Sequence, residues 1–159
     1  MKTYAYTHNP IPFDFKQTIE RFFVEEIPLY PFSKKGNYLI LKIKKTDMST
    51  WKLISVLCKA TGLKEQEIGY AGLKDKNATT IQYISLPKEY EKELKKNLTT
   101  EKIEILEKTY NKTPLKIGHL KGNRFSVVLH RVNEKNAALF NAAAQKMQIF
   151  GIPNYFGYQ

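Results

Sequence analysis

The stretch GYAGLKDKNATTIQ, residues Gly69 to Gln82, contains the clearest candidate for a reactive group. Asp75 is one of three aspartates in the 159 residues, and it lies between Lys74 and Lys76. Nearby positive charge keeps a carboxylate ionised, and an ionised carboxylate can act as a nucleophile or as a general base. An ordinary polar turn residue would fit the same loop, because aspartate is common in hairpin connections.

Composition favours a nucleic-acid partner for this carboxylate. Lysine and arginine number 26 against 15 acidic residues, which gives a net charge of +11. An excess of this size is typical of proteins that bind a polyanion, although a merely soluble basic protein has the same composition. Hydrophobic residues make up 42% of the chain, so a folded domain is expected rather than disorder.

Other sequence features limit the chemistry and the compartment. Cys58 is the only cysteine, which excludes an internal disulfide and fits a reducing cytoplasm. The amino terminus is too polar for a signal peptide. No apolar run reaches the roughly 20 residues that a membrane span needs, so no membrane partner is expected.

Metal and nucleotide chemistry have little support in the sequence. His8, His119 and His130 are far apart and lack carboxylates at ligand spacing, so no metal site is predicted. No glycine-rich phosphate loop is present, so no nucleotide cofactor is indicated. A two-metal nuclease would need several clustered acidic ligands. What remains is one carboxylate in a basic setting.

Residue spacing predicts an α+β chain that positions this loop. Residues 37–45 alternate, with Leu39, Leu41 and Ile43 on one face of a strand. The following segment changes to helical spacing between a Ser49 cap and Gly62. The apolar face predicted for this helix consists of Trp51, Ile54, Leu57 and Cys58.

The rest of the chain continues the same mixture. Further strands are predicted over residues 79–86, 101–110 and 123–132, with a helix as the alternative for residues 101–110. Phe125, Val127 and Leu129 would lie on one side of the last strand. A second helix is predicted over residues 133–151, capped by Asn133. Its predicted apolar face consists of Leu139, Ala143, Met147 and Phe150. No repeat or domain boundary is visible.

The glycine loop and its strand, GYAGLKDKNATTIQYISL, resemble the signature of the TruD family of tRNA pseudouridine synthases, which is roughly G-x-KD-[KR]-x-A-x-T-x-Q. Three further stretches resemble family motifs in the family's order: residues 15–26, 115–132 and 151–159. In the first of them, Ile19 and Arg21 stand where the family has proline and aspartate. The resemblance covers nearly the whole chain.

The resemblance implies a fold and an activity. The fold would be a mixed, mainly antiparallel sheet with flanking helices, part of a pseudouridine synthase catalytic domain. The activity would be isomerisation of uridine-13 in tRNA, a reaction that requires no cofactor. Because family members continue beyond the position of Gln159, residues 1–159 are expected to form the N-terminal portion of that domain. The remainder of that domain and an inserted domain found in the family would be absent. The segment alone is expected to be inactive, and either to self-associate or to be a stable remnant of a longer protein.

The resemblance also implies site residues. Asp75 would be the catalytic carboxylate, and Lys16 would face it across the active site. Phe125 would stack on the flipped base, although its spacing alone fits a core residue. Asn123 would contact the uracil edge or orient the loop, and Gln82 would read the base or support its strand.

Lys74 and Lys76 are expected to contact phosphate, because alternate residues of an extended segment share one face. A non-catalytic RNA-binding module is the alternative, since it would show the same basic charge and aromatic strands. Asp75 argues against that alternative, because a pure binder gains nothing from a negative charge on a phosphate-binding face.

Overall fold

The computed structural model describes residues 10–98 and 100–152, with only the backbone described for residues 95–97. The chain forms two compact units, Lys16–Val128 and a second unit of Met1–Phe15 with Leu129–Gln159. Tyr155 and Phe156, in the family-like stretch 151–159, are predicted from the sequence to be packing residues, and they lie outside the described part.

The larger unit is built on a mixed, mainly antiparallel sheet of six strands, which confirms the predicted α+β fold. The strand order is β5-β2-β4-β1-β6, and β3 pairs with β4 as well. Only β1 and β4 run parallel. The strands are β1 (Phe22–Pro28), β2 (Tyr38–Thr46), β3 (Gly69–Tyr70), β4 (Thr79–Pro87), β5 (Ile103–Asn111) and β6 (Leu120–Val127).

One face of this sheet forms the core. The alternation predicted for β2 is confirmed for Leu39, Leu41 and Ile43, which are fully buried. On the other face, Lys42 and Lys44 are partly exposed, but Ile40 is fully buried as well. Ile84 and Leu86 of β4 pair with Leu41 and Leu39 and lie on the same face. Helices α1 (Thr50–Thr61) and α2 (Glu91–Asn97) contribute to the core on this covered face.

Helix α1 has the predicted ends, and its predicted apolar face is correct for Ile54, Leu57 and the partly buried Cys58 but wrong for Trp51. The Ser49 side chain accepts a hydrogen bond from the backbone of Lys52, and Gly62 ends the helix in the left-handed conformation with φ 81°. The buried apolar positions are Leu53, Ile54 and Leu57. Trp51, predicted to lie on this face, is 54% exposed and stacks edge-on against the Tyr70 ring. The buried positions Thr50, Leu53, Ile54 and Leu57 follow the i, i+3, i+4, i+7 spacing, which defines the core side of the helix.

The opposite face of the sheet carries ion pairs that are partly or fully open to solvent. Glu25 of β1 contacts Lys42 of β2 at 3.1 Å and Arg124 of β6 at 3.6 Å. Lys44 pairs with Glu104 of β5 at 3.0 Å. Because partners across a sheet share a face, these side chains point away from α1.

In the second unit, helix α3 (Glu134–Phe150) begins at the predicted Asn133 cap, whose side chain accepts a hydrogen bond from Asn136. The predicted apolar face is wrong: Leu139, Met147 and Phe150 are exposed. The described contacts of α3 instead come from positions four residues apart, because Phe140 packs on Phe13 and Asn136 bonds the Pro12 carbonyl.

The last predicted strand is shorter than expected. Strand β6 ends at Val127, so Leu129 lies outside it. Arg131 adopts a left-handed conformation with φ 57°, which is incompatible with a continuing strand. Among the described residues, no helix is long and apolar enough to cross a membrane.

Candidate active site

Asp75 lies in the loop that joins β3 to β4, hereafter the Asp75 loop, residues 71–78. Asp75, Lys76 and Asn77 are exposed at its tip, whereas Ala71 and Ala78 are buried at its base. The tip therefore presents a carboxylate to solvent from a loop whose two ends are fixed in the core.

Helix α1 anchors the loop just before Asp75. The backbone N–H of Lys74 donates to the Thr50 hydroxyl at 2.9 Å, and that hydroxyl donates to the Gln82 side-chain carbonyl at 3.1 Å. Gln82 is fully buried on β4. Of the two roles considered for Gln82, this contact favours support of the strand and loop over reading of a base.

A buried ion pair anchors the loop to β1. The Lys74 ammonium lies 2.9 Å from the Glu26 carboxylate, and both side chains are at most 3% exposed. Burial raises the pKa of Glu26, while Lys74 and the backbone N–H of Tyr83 partly oppose that rise. Both charges are thus withdrawn from water and depend on each other.

The expectation that Lys74 and Lys76 share one outward face is wrong. Lys74 points into the protein, and Lys76 is exposed. The reason is that the Lys74 ammonium pairs with the buried Glu26 carboxylate, while Lys76 lies at the start of a turn in which the Ala78 N–H donates to the Lys76 carbonyl. Of these two lysines, Lys76 is the exposed one and Lys74 is buried.

A third anchor comes from β2. The fully buried Lys45 donates from its Nζ to the Asp75 carbonyl at 3.0 Å and also to the Met48 carbonyl. Burial lowers the pKa of Lys45 to about 8; the Asp75 carboxylate opposes this shift and Lys74 adds to it. The Asp75 loop is therefore held by polar groups from α1, β1 and β2.

Strand β6 carries Phe125, the aromatic residue predicted to stack on the base, on the same face of the sheet as Lys45. Phe125 pairs with Val24, and Val24 pairs with Thr80 and so with Lys45 across the sheet. The Phe125 side chain is 56% exposed, with its ring 6.0 Å from that of Phe22. Asn123, two residues earlier on β6, is exposed and pairs with Glu26. In the described part of the chain, Phe125 is therefore exposed rather than part of the hydrophobic core.

Lys16 lies in the segment that leads into β1. Its side chain is exposed, and the described residues include no ion pair between Lys16 and Asp75. The segment is tied to the sheet where the Thr79 hydroxyl donates to the Ile19 carbonyl at 2.8 Å. Thr79 begins the strand that follows the Asp75 loop, so Lys16 stays a predicted partner of Asp75.

Sequence reasoning missed the buried charges beneath the loop. Lys45 continues the alternation of Leu39, Leu41 and Ile43, and Glu26 follows Val24 by two residues, so both belong to core-facing positions. A charge at a core position of an alternating strand was the available signal, since buried charges are rare unless paired. Among the described residues, no group of three His, Cys, Asp or Glu side chains could hold a metal ion.

Comparisons with known proteins show which family this sequence matches. The model of the family tRNA pseudouridine synthase D (TruD) matches residues 1–159. The tRNA pseudouridine synthase D of Sulfurimonas denitrificans is 48% identical over 156 residues, which cover 98% of this chain and 43% of the relative. That of Wolinella succinogenes is 44% identical over 158 residues, covering 99% of this chain and 44% of the relative.

A solved structure is similar over the same span. A Methanosarcina mazei protein assigned as tRNA pseudouridine synthase D superposes with a TM-score of 0.83 at 27% identity, covering 99% of this chain and 37% of that one. The chain therefore spans less than half the length of the relatives it matches. Because the family model matches the sequence from end to end, the chain belongs to the TruD family.

Proposed function

We propose that the protein containing this chain isomerises uridine to pseudouridine in tRNA, with uridine-13 as its target and Asp75 as the catalytic carboxylate. The observation that carries the proposal is the family match over the whole chain. The reaction breaks the N1–C1′ bond of the uridine, turns the base and joins C5 to C1′. All atoms of the base are retained apart from an exchanged proton, so no cofactor is required. The single cysteine favours a cytoplasmic location.

The geometry of the Asp75 loop supports this role. A catalytic group must be held in position by supporting contacts, and the buried Lys45, Thr50 and Lys74 side chains or backbone groups hold the loop from beneath. The Asp75 carboxylate itself is exposed and can meet a base that has left its stack. Phe125 offers a ring on which that base can stack.

The proposal is tested with the full-length gene product and a transcribed tRNA that carries uridine at position 13. Pseudouridine is mapped by carbodiimide modification and primer extension, with a matched transcript that carries cytidine at that position as control. We expect one new modification, at position 13, and none in the control. Absence of pseudouridine from the transcript would contradict the activity, and modification elsewhere would contradict the target position.

Lys76 is proposed to contact phosphate. Replacing Lys76 by alanine is expected to weaken tRNA binding for all sequences and to reduce the slope of log affinity against log salt by about 0.7–0.9, the loss of one phosphate contact. Filter binding at several salt concentrations measures this slope. Lys44→Ala is the matched control, because Lys44 pairs with Glu104 on the opposite face of the sheet. Equal slopes for wild type and Lys76→Ala would show that Lys76 does not contact phosphate.

Phe125 is proposed to stack on the flipped uracil. Phe125→Ala is expected to lower kcat roughly 5- to 150-fold, corresponding to about 1–3 kcal/mol of stacking, while tRNA affinity changes much less. The difference arises because stacking begins only after the base has flipped. Phe23→Ala serves as control: Phe23 is 39% exposed and one residue before Val24, hence on the opposite face. Parallel losses of affinity and kcat in Phe125→Ala would contradict the stacking role.

A further inference from the structure

Lys45 is a buried cation on the core side of the sheet. It pairs with Thr80 of β4 and Ile103 of β5, both also buried, and is itself fully inaccessible to solvent. A buried ammonium group is unfavourable unless it is paired or well hydrogen-bonded. An aliphatic residue would fit this core-facing position of β2 better. The contacts of the ammonium group show why a lysine is placed here.

Lys45 forms hydrogen bonds to two separate segments, the Asp75 loop and the residue that precedes the cap of α1. Its Nζ donates to the carbonyl of Asp75, at 3.0 Å, and to the carbonyl of Met48. Met48 directly precedes the Ser49 cap of α1, and Asp75 is at the tip of the Asp75 loop. The ammonium group thus fixes the backbone of the proposed catalytic residue against the start of the helix whose Thr50 also anchors the loop.

We propose that Lys45 is a positioning residue for the reaction, which in its protonated form fixes the backbone of Asp75 and supplies positive charge beneath its carboxylate. This role rests on the proposed function, because it acts through Asp75. Lys45 is not expected to touch the tRNA, since its side chain is covered by the protein.

The charges around Lys45 determine how this role depends on pH. From the loop, Asp75 opposes the burial-driven fall in the pKa of Lys45 and Lys74 reinforces it, and Lys74 is itself paired with Glu26 of β1. The neighbours from β4 and β5 are uncharged. With the pKa at about 8, Lys45 is protonated at pH 7 and loses its charge as the pH rises further.

Loss of that proton weakens the hydrogen bonds to both carbonyls and removes the positive charge beside Asp75. The active form is the protonated one, so kcat should be constant below the pKa and should fall above it. The decline should approach tenfold per pH unit, until it reaches the activity that the neutral amine supports. The KM for tRNA should stay constant, because the Lys45 side chain lies beneath the binding surface.

The test is steady-state kinetics of the full-length gene product on transcribed tRNA between pH 6.5 and 9.5. Wild type is expected to lose kcat above about pH 8. Lys45→Met, which keeps the length of the side chain without its charge, is expected to have at least tenfold lower kcat at pH 7, a KM within about threefold of wild type and no break near pH 8. Lys44→Met is the matched control, because this neighbour points to the opposite face, and it should retain both the activity and the break.

Three results would overturn the proposal. A wild-type kcat that is flat from pH 7 to 9.5 would do so even if Lys45→Met failed to fold. Wild-type kcat in Lys45→Met would remove the positioning role while leaving the proposed function intact. A wild-type protein without any turnover would overturn the proposed function, and with it the role of Lys45.

Discussion

Full-length protein carrying Asp75→Asn is expected to form no measurable pseudouridine and to bind tRNA about as well as wild type. Asparagine keeps the size of the side chain at the exposed loop tip, but it can act neither as a nucleophile nor as a base. Removing a group of this kind lowers turnover by about 10⁴-fold or more. Joining C5 to C1′ releases the hydrogen on C5, so tritium release from tRNA labelled at uridine C5 measures turnover directly.

A chemically identical substitution elsewhere provides the control. Asp47→Asn changes an exposed aspartate that pairs with Lys102 at 2.7 Å, and it should leave turnover close to wild type. Pseudouridine formation by Asp75→Asn at the wild-type rate would refute the catalytic assignment. Unchanged tRNA binding by a wild-type protein that lacks turnover would instead support the alternative of a non-catalytic RNA-binding module.

Breaking the buried pair of Glu26 and Lys74 is expected to cause the largest loss of stability. Glu26→Leu or Lys74→Met alone leaves one buried charge without its partner, which lowers the free energy of unfolding by about 3–5 kcal/mol. A typical domain has only about 5–15 kcal/mol in total. Urea denaturation of each variant, followed by circular dichroism, gives the free energy of unfolding.

The double variant separates the pair from its surroundings. Glu26→Leu with Lys74→Met removes both charges and should recover most of the lost stability, because a hydrophobic pair can replace a buried ion pair. Glu25→Leu is the control, since this adjacent residue makes partly exposed pairs on the opposite face and should lower stability much less than either single variant of the buried pair. If the losses of the two single variants simply added in the double variant, the two charges would not depend on each other.

Much of the fold was predictable because it is encoded in short-range patterns. The alternation of β2 depends on burial of every second residue, and the ends of α1 depend on one capping hydroxyl at Ser49 and one left-handed glycine at Gly62. These signals lie within a few residues of the element that they define. The buried face of α1 was less predictable. Trp51 is a large aromatic residue of a type that is often buried, and it is exposed only because of where the neighbouring elements lie.

The candidate site was predictable in its residues but less so in their directions. The motif identified Asp75 and Phe125, and the structure leaves both side chains exposed. It could not reveal that Lys74 turns inward, since this depends on the distant Glu26. Contacts between residues so far apart in sequence follow from strand order, and no local pattern records the strand order.

The position of β1 within the sheet sets an order of events for a newly made chain. β1 precedes every other strand, yet it bonds only to β4 and β6, which come much later in the sequence. While the ribosome is still adding these residues, β1 has no partner in this sheet, and Glu26 has no Lys74. Strands β2 and β4 can pair earlier, because only α1 and short connections separate them. Long-range pairing of this kind forms slowly. The Asp75 loop can therefore be anchored by β2 and α1 as soon as β4 has been made, whereas Phe125 arrives later with β6.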